Sequence, residues 1–389
     1  MLLADLGAEV IKIEEPNYGD PTRFAPPRVK EEGSLFLTVN RNKKSVTLNL
    51  KESRGVEAFM RLAAKADVVV EGFRPGVVDR LGVGYKAVSA VNPQIVYCSI
   101  TGYGQTGPMA QRSGHDINYV GLAGALGYSI DAKGTPVIPA VQIADLGGGL
   151  MAAIAILAAL QSRHRTQQGQ YIDLAMMDAT IAMLPFIASH FFAGQDLEVG
   201  THTTLTGQQP CYAVYKTKDG KYLSLGALEP KFWQQFCEAI GRKDFADKQF
   251  AKGKDKERLQ TELRSIFLSR TREEWLRLLA SKDVCCEPIY NITDALTSPQ
   301  AVHRAMLFKM DHPTEGEILQ IGSPFKFSQT PVRMHLAPPR LGEHTEDVLA
   351  AAGFTEEERR RLRRDGITKE KKGFLEKLTV RVMKFFGRV

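Results

Sequence analysis

The sequence predicts an α/β protein: a Rossmann-like large domain with a mainly parallel sheet, a smaller α/β domain, and a C-terminal return to the large domain. Three observations predict it. Short buried strands alternate with helical stretches from Ala8 onward, an order that builds parallel sheets from strand–helix–strand units. Far downstream, Asp219-Gly220 separates two alternating apolar runs, a strong hairpin signal in a separate unit. The 389 residues are enough for two domains or one large one.

Taken in order, MLLADLG is a short helical end closed by Gly7, and AEVIKIE is a buried strand. SVTLNL (45–50) is a strand after the basic turn Asn40–Lys44, residues 52–65 are helix, and ADVVVEGF (66–73) and IVYCSI (95–100) are strands. A glycine-rich loop follows, and His115-Asp116 opens an amphipathic helix. From Asp145, taken as its N-cap, to about Arg163 runs a long apolar helix; YIDLAMMDATIAMLPFIASHFF then gives a strand and a helix. The large domain is thus expected over 1–193, a linker rich in Gly, Thr and Gln over 194–210, and the small domain over 211–310 with helices near 231–240, 256–268 and 272–281. Residues 311–367 return to the large domain, ending in helices that begin near Thr345 and at the capping box Thr355–Glu358. Residues 368–389 carry apolar side chains at spacings of three and four with basic ones between. That pattern is a basic amphipathic tail, suited to docking on the protein's own surface, to an anionic membrane surface, or to a disordered extension.

Composition narrows the function classes. No apolar run approaches bilayer-spanning length, and the start lacks the basic region of a secretory signal. The five cysteines have neither metal nor disulfide spacing, which points to a reducing, cytoplasmic compartment. Of the net charge of +7, about five units lie from Lys369 onward, so the nearly neutral body is a poor nucleic-acid binder. Gly102-x-Gly104-x-x-Gly107 matches the dinucleotide fingerprint by letter, but Pro108 follows where an apolar helix should open. The eight histidines form no HExxH-like cluster, so no metal site is expected.

Taken singly, His115 beside Asp116 reads as a surface or capping pair, Asp145 as an N-cap, and Glu229 as a hairpin-exit residue before Pro230. Asp178 lies in MMDA, and Arg80 reads as a solvated helix charge. Their surroundings say more. From Met1 to about Ile367 the chain resembles the class III CoA-transferase (CaiB/BaiF-type) superfamily. The stretches that carry the likeness are LLADLGAEVIKIE, NRNKKSVTLNL, VEGFRPGVVDRLGVGY, GQYIDLAMMDA and LGEHTEDVL. Within it, GYGQTGPMAQRSGHDINY, the Asp of IADLGGG and the Glu of GALEPKFW are similar to the α-methylacyl-CoA racemase branch.

That resemblance implies His115, Asp145 and Glu229 as the catalytic set of a 2-methylacyl-CoA racemase. Its chemistry suits them. The hydrogen α to a thioester carbonyl is a weak acid, and inverting its carbon needs acid–base groups on both faces, passing through an enolate. An imidazole titrates near working pH, and a carboxylate raised by burial can hold the opposite proton. Glu229 would orient His115, and the backbone N–H of Asp116 would receive the enolate oxygen. The alternative is CoA transfer with Asp178 as the acyl-anhydride nucleophile; a non-catalytic CoA-ester binder is the third reading. For the CoA handle, Gly72, Phe73 and Arg74, with Arg80 in the next helix, are expected near adenine and phosphate, and Asn40, Arg41 and Lys43 near the nucleotide's phosphates. No cofactor beyond the substrate's own coenzyme A is implied. The resemblance further implies interlocked homodimers, each active site lying between a large domain and the partner's small domain. Family members begin earlier, with a strand and a Gly-Pro turn, so a central strand of the sheet is expected to be missing.

Overall fold

The computed structural model describes residues 1–369; from residue 370 the expected amphipathic tail lies outside the described residues. The chain opens with α1 (Leu2–Asp5) and β1 (Val10–Glu14), turned by Gly7 at φ +108, where a side chain would be strained. Next come α2 (Ser34–Val39), β2 (Lys43–Thr47), α3 (Ser53–Ala63), β3 (Val68–Glu71), α4 (Val77–Arg80), α5 (Tyr85–Val91) and β4 (Val96–Thr101). α6 (Asp116–Leu122), α7 (Ile143–Thr166), β5 (Gln170–Ala175), α8 (Met176–Ala182) and α9 (Pro185–Phe192) follow. The hairpin is β6 (Tyr212–Lys216) and β7 (Tyr222–Gly226), then α10 (Pro230–Ala239), α11 (Gly253–Phe267), α12 (Arg272–Leu279) and β8 (Cys286–Pro288). The chain closes with α13 (Ile292–Thr297), α14 (Pro299–His303), β9 (Leu307–His312), β10 (Gly316–Ile321), α15 (Thr345–Ala351) and α16 (Glu356–Arg364).

The α/β class holds, but the expected large sheet is two separate ones. β1 and β2 pair in parallel from Val10↔Lys43 to Glu14↔Thr47, and β3–β4–β5 form another sheet whose β3 and β4 are parallel. The domain boundaries also differ from those expected. One compact unit comprises 1–99, 153–172 and 299 onward; the other comprises 100–152 and 173–298. The chain passes between units within β4, α7 and β5. Periodicity identifies a helix or strand but not the body in which it packs, so 1–193 read as one domain and is divided here.

In the first unit, Val46 and Leu48 pack with Ala58, Val348, Leu349, Phe354, Leu362 and Ile367. That cluster is the C-terminal return: α15 and α16 cover β2 and α3. α16 begins at a capping box, with Glu358 accepting from Thr355 N–H at 2.6 Å and Thr355 Oγ1 accepting from Glu358 N–H at 3.2 Å. In the second unit, Trp233, Phe236, Phe267 and Trp275 are fully buried around Leu223 and Leu225. Leu223 and Leu225 alternate inward along β7, the period of two that marked the hairpin. Its turn is held by Asp219, which accepts from Thr217 Oγ1 at 2.6 Å, with Gly220 at φ +75. The segment 194–210 has one 3-10 turn, Thr204–Thr206, and is tied down by Tyr128 Oη donating to Leu197 O at 2.8 Å.

One composition reading is overturned. By length and composition α7 is long and apolar enough to cross a membrane, and only a third of its most apolar stretch is buried. Its glycines and alanines disguised the run. Leu146, Leu150, Ile154 and Leu157, spaced to share one face, are 55, 48, 61 and 48% exposed.

Candidate active site

The loop between β4 and α6 is shaped by close approaches that only glycine permits. A Cβ on Gly102 would lie 2.3 Å from the Tyr119 ring, and one on Gly114 2.6 Å from it. Tyr119 Oη in turn donates to Gly114 O at 2.6 Å. Asp173 on β5 accepts Gln105 N–H with both oxygens at 3.1 and 3.0 Å, and Thr101 Oγ1 accepts Gly104 N–H at 3.0 Å. The third glycine of the fingerprint opens no helix: Gly107 is left-handed at φ +92. The loop thus delivers His115 to the N-cap of α6, where Asn118 Oδ1 accepts its backbone N–H at 3.0 Å.

Asp145 is not the N-cap of α7, because that helix begins at Ile143 and places Asp145 in its first turn. The orphan N–H groups there are met from outside the helix: Asp116 Oδ1 accepts from Ala144 N at 2.7 Å and from Asp145 N at 3.2 Å. This capping role of the Asp116 carboxylate was hidden in the sequence, since 28 residues separate acceptor and donor. The Asp145 carboxyl is pushed above the usual carboxylate range, first by burial and then by the Asp116 charge, while His115 pulls it down. His115, Asp116 and Asp145 therefore form one electrostatic cluster. Two neighbouring groups of differing environment are what a two-base proton transfer requires.

Asp178 lies in the first turn of α8, exposed, and its helix is tied to the same loop by Met177 N–H donating to Gly102 O at 3.0 Å. Glu229 is the exposed N-cap residue of α10; its charge acts on the Cys285 thiol. Among the described residues, no hydrogen bond joins Glu229 to His115.

The candidate CoA contacts divide in two. Gly72, Phe73, Arg74 and Arg80 are exposed. Asn40 and Arg41 are instead internal. Arg41, 1% exposed, donates to Asp5, Gln320 Oε1 and Ile321 O, so its fork is occupied and cannot meet a phosphate. Asn40 donates to Phe36 O and accepts from Lys43 Nζ at 2.8 Å. Burial, then the charge of Lys12, pulls the Lys43 ammonium down to about 8. A basic turn in a sequence does not reveal that its charges are needed inside.

Comparison with known proteins gives the family. The sequence profile described as CoA-transferase family III matches residues 1–345. The chain belongs to CoA-transferase family III. Among relatives of this family III chain, the mouse (Mus musculus) succinyl-CoA:glutarate CoA-transferase is 38% identical, over 90% of the chain and 81% of the relative. The mouse α-methylacyl-CoA racemase is 32% identical, over 96% and 93%. A crystal structure of a CAIB/BAIF family protein from Brucella suis superposes with a TM-score of 0.78 at 31% identity, covering 90% of the chain and 93% of that structure. The family thus includes both transferases and racemases acting on CoA thioesters, and it is the family III chain's own residues that bear on the choice.

Proposed function

We propose that this chain racemises 2-methylacyl-CoA thioesters by a two-base 1,1-proton transfer. The carrying observation is the raised carboxyl of Asp145 in one cluster with His115 and Asp116. One of His115 and Asp145 removes the α-proton as base, the thioester carbonyl takes up the electron pair as an enolate, and the other delivers a proton to the opposite face. The Asp116 N–H at the start of α6 receives the enolate oxygen. A second copy of the chain supplies Glu229 to orient His115. This dimer is supported by the exposed apolar face of α7.

CoA transfer is the second reading, favoured by the relative at 38% identity and by exposed Asp178. There the Asp178 carboxylate would attack the thioester carbonyl, forming an acyl anhydride and expelling the CoA thiolate. Two variants decide between them. His115→Ala should abolish racemisation with CoA-thioester binding retained, and Asp178→Ala should leave it. Acyl transfer to a second carboxylic acid that is lost in Asp178→Ala and kept in His115→Ala would make the chain a transferase.

A further inference from the structure

We infer that Glu71 is a positioning residue for the nucleotide end of the CoA thioester, acting through Phe73; this rests on the CoA-handle reading of the loop after β3. Glu71 is the last residue of β3, paired in register with Ser99 of β4. Its carboxylate accepts the Phe73 N–H at 2.7 Å, and the Ser99 side chain is among the groups that stabilise its charge. Ser99, 1% exposed, accepts in turn from Tyr171 Oη at 3.0 Å. Behind it the Tyr171 ring lies against Tyr85 and Tyr97, at 5.2 and 6.0 Å between centroids.

Ahead of it the Phe73 side chain is 49% exposed, an apolar ring kept at the surface. A loop whose ring must wait in solvent for a flat base loses affinity if its backbone is free, because ordering it then costs binding energy. Burial raises the Glu71 carboxyl above its usual range, first among its causes, while the Ser99 side chain and the Phe73 N–H oppose it. Nothing in the proton-transfer chemistry calls on Glu71.

The test compares two substrates, a 2-methylacyl-CoA and the matching 2-methylacyl-pantetheine, which lacks the nucleotide. Glu71→Ala is expected to raise KM for the CoA thioester about tenfold, as loss of a charge-assisted hydrogen bond would, with the pantetheine thioester's kcat/KM changed less than twofold. Glu71→Gln, which keeps an oxygen for the Phe73 N–H, should restore most of the CoA-thioester affinity. An equal loss on both substrates would mean a structural role only, and no loss on either would also overturn the inference. Phe73→Ala separates the two levels: if it leaves KM for the CoA thioester unchanged, the loop does not carry the nucleotide and the CoA-handle reading itself fails.

Discussion

Replacing Arg41 with Met tests whether the basic turn serves the fold or the ligand. Its guanidinium reaches Asp5 through Nε at 3.1 and 3.2 Å and through Nη2 at 2.6 Å, and Ile321 O through Nη1 at 2.6 Å. Asp5 is 1% exposed, and its other donor is Asn42 Nδ2 at 2.8 Å. Arg41→Met leaves that carboxylate buried without its counter-ion, which costs about 3–5 kcal/mol. For a folding unit of about 150–250 residues each kcal/mol moves the midpoint about 2–4 °C, so Tm should fall on the order of 10 °C. Pairing it with Asp5→Asn, which removes the stranded charge, should recover part of the loss. Thermal unfolding followed by circular dichroism reads the stability, and titration with a CoA thioester well below Tm reads the affinity. The structure predicts a lower Tm and a Kd within about twofold of the parent, since Arg41 is buried and its guanidinium is engaged by Asp5, Gln320 and Ile321. An unchanged Tm with a tenfold weaker Kd would refute the reasoning and return Arg41 to the phosphates.

Three further perturbations follow from the geometry. Asp116→Asn keeps an oxygen for the Ala144 and Asp145 N–H groups but drops the charge that raises Asp145. The acid limb of kcat/KM should therefore move to lower pH; a limb that stays or rises contradicts the cluster. His312 donates from Nε2 to Pro338 O at 2.9 Å and accepts at Nδ1 from Glu315 N–H at 3.1 Å. Burial holds its pKa below the ordinary 6.5, with Glu315 and Glu343 opposing and Arg340 assisting. The unfolded chain takes up that proton more readily, so the contribution is fully present above about pH 6.5 and lost as pH falls below it. His312→Gln should flatten the loss of urea stability between about pH 7 and 5, and a slope equal to the parent's would count against it. Gly102→Ala forces a Cβ to within 2.3 Å of the Tyr119 ring; unfolding should show a loss of about 1–3 kcal/mol, and a neutral result would mean the loop is not tightly packed.

Much of the fold was legible because local rules decided it. Gly7, the Asp219-Gly220 turn and the Thr355–Glu358 box each set the chain where expected. β2 begins at Lys43 rather than Ser45, since Asn42 takes a left-handed turn at φ +60 just before it. What escaped reading was long-range. β8 pairs with β7 across sixty-odd residues. Among candidate site residues, Phe73 after β3 and His115 at the start of α6 lie exposed. Those whose partners come from distant segments, Arg41 with Asp5 and Ile321, could not be told from ligand contacts. A side chain's charge is written in the sequence, but its neighbours are not.

The central claim is proton transfer at the α-carbon, and the direct measurement is incubation of a single (2R)- or (2S)-2-methylacyl-CoA with the enzyme in heavy water. Mass spectrometry would follow deuterium at the α-carbon, and chiral analysis of the released acid would follow optical purity. Two-base racemisation predicts α-deuterium incorporation together with loss of optical purity, with no added acyl acceptor and with both lost in His115→Ala. Retained configuration without exchange, and turnover that appears only when a second carboxylic acid is supplied, would contradict it.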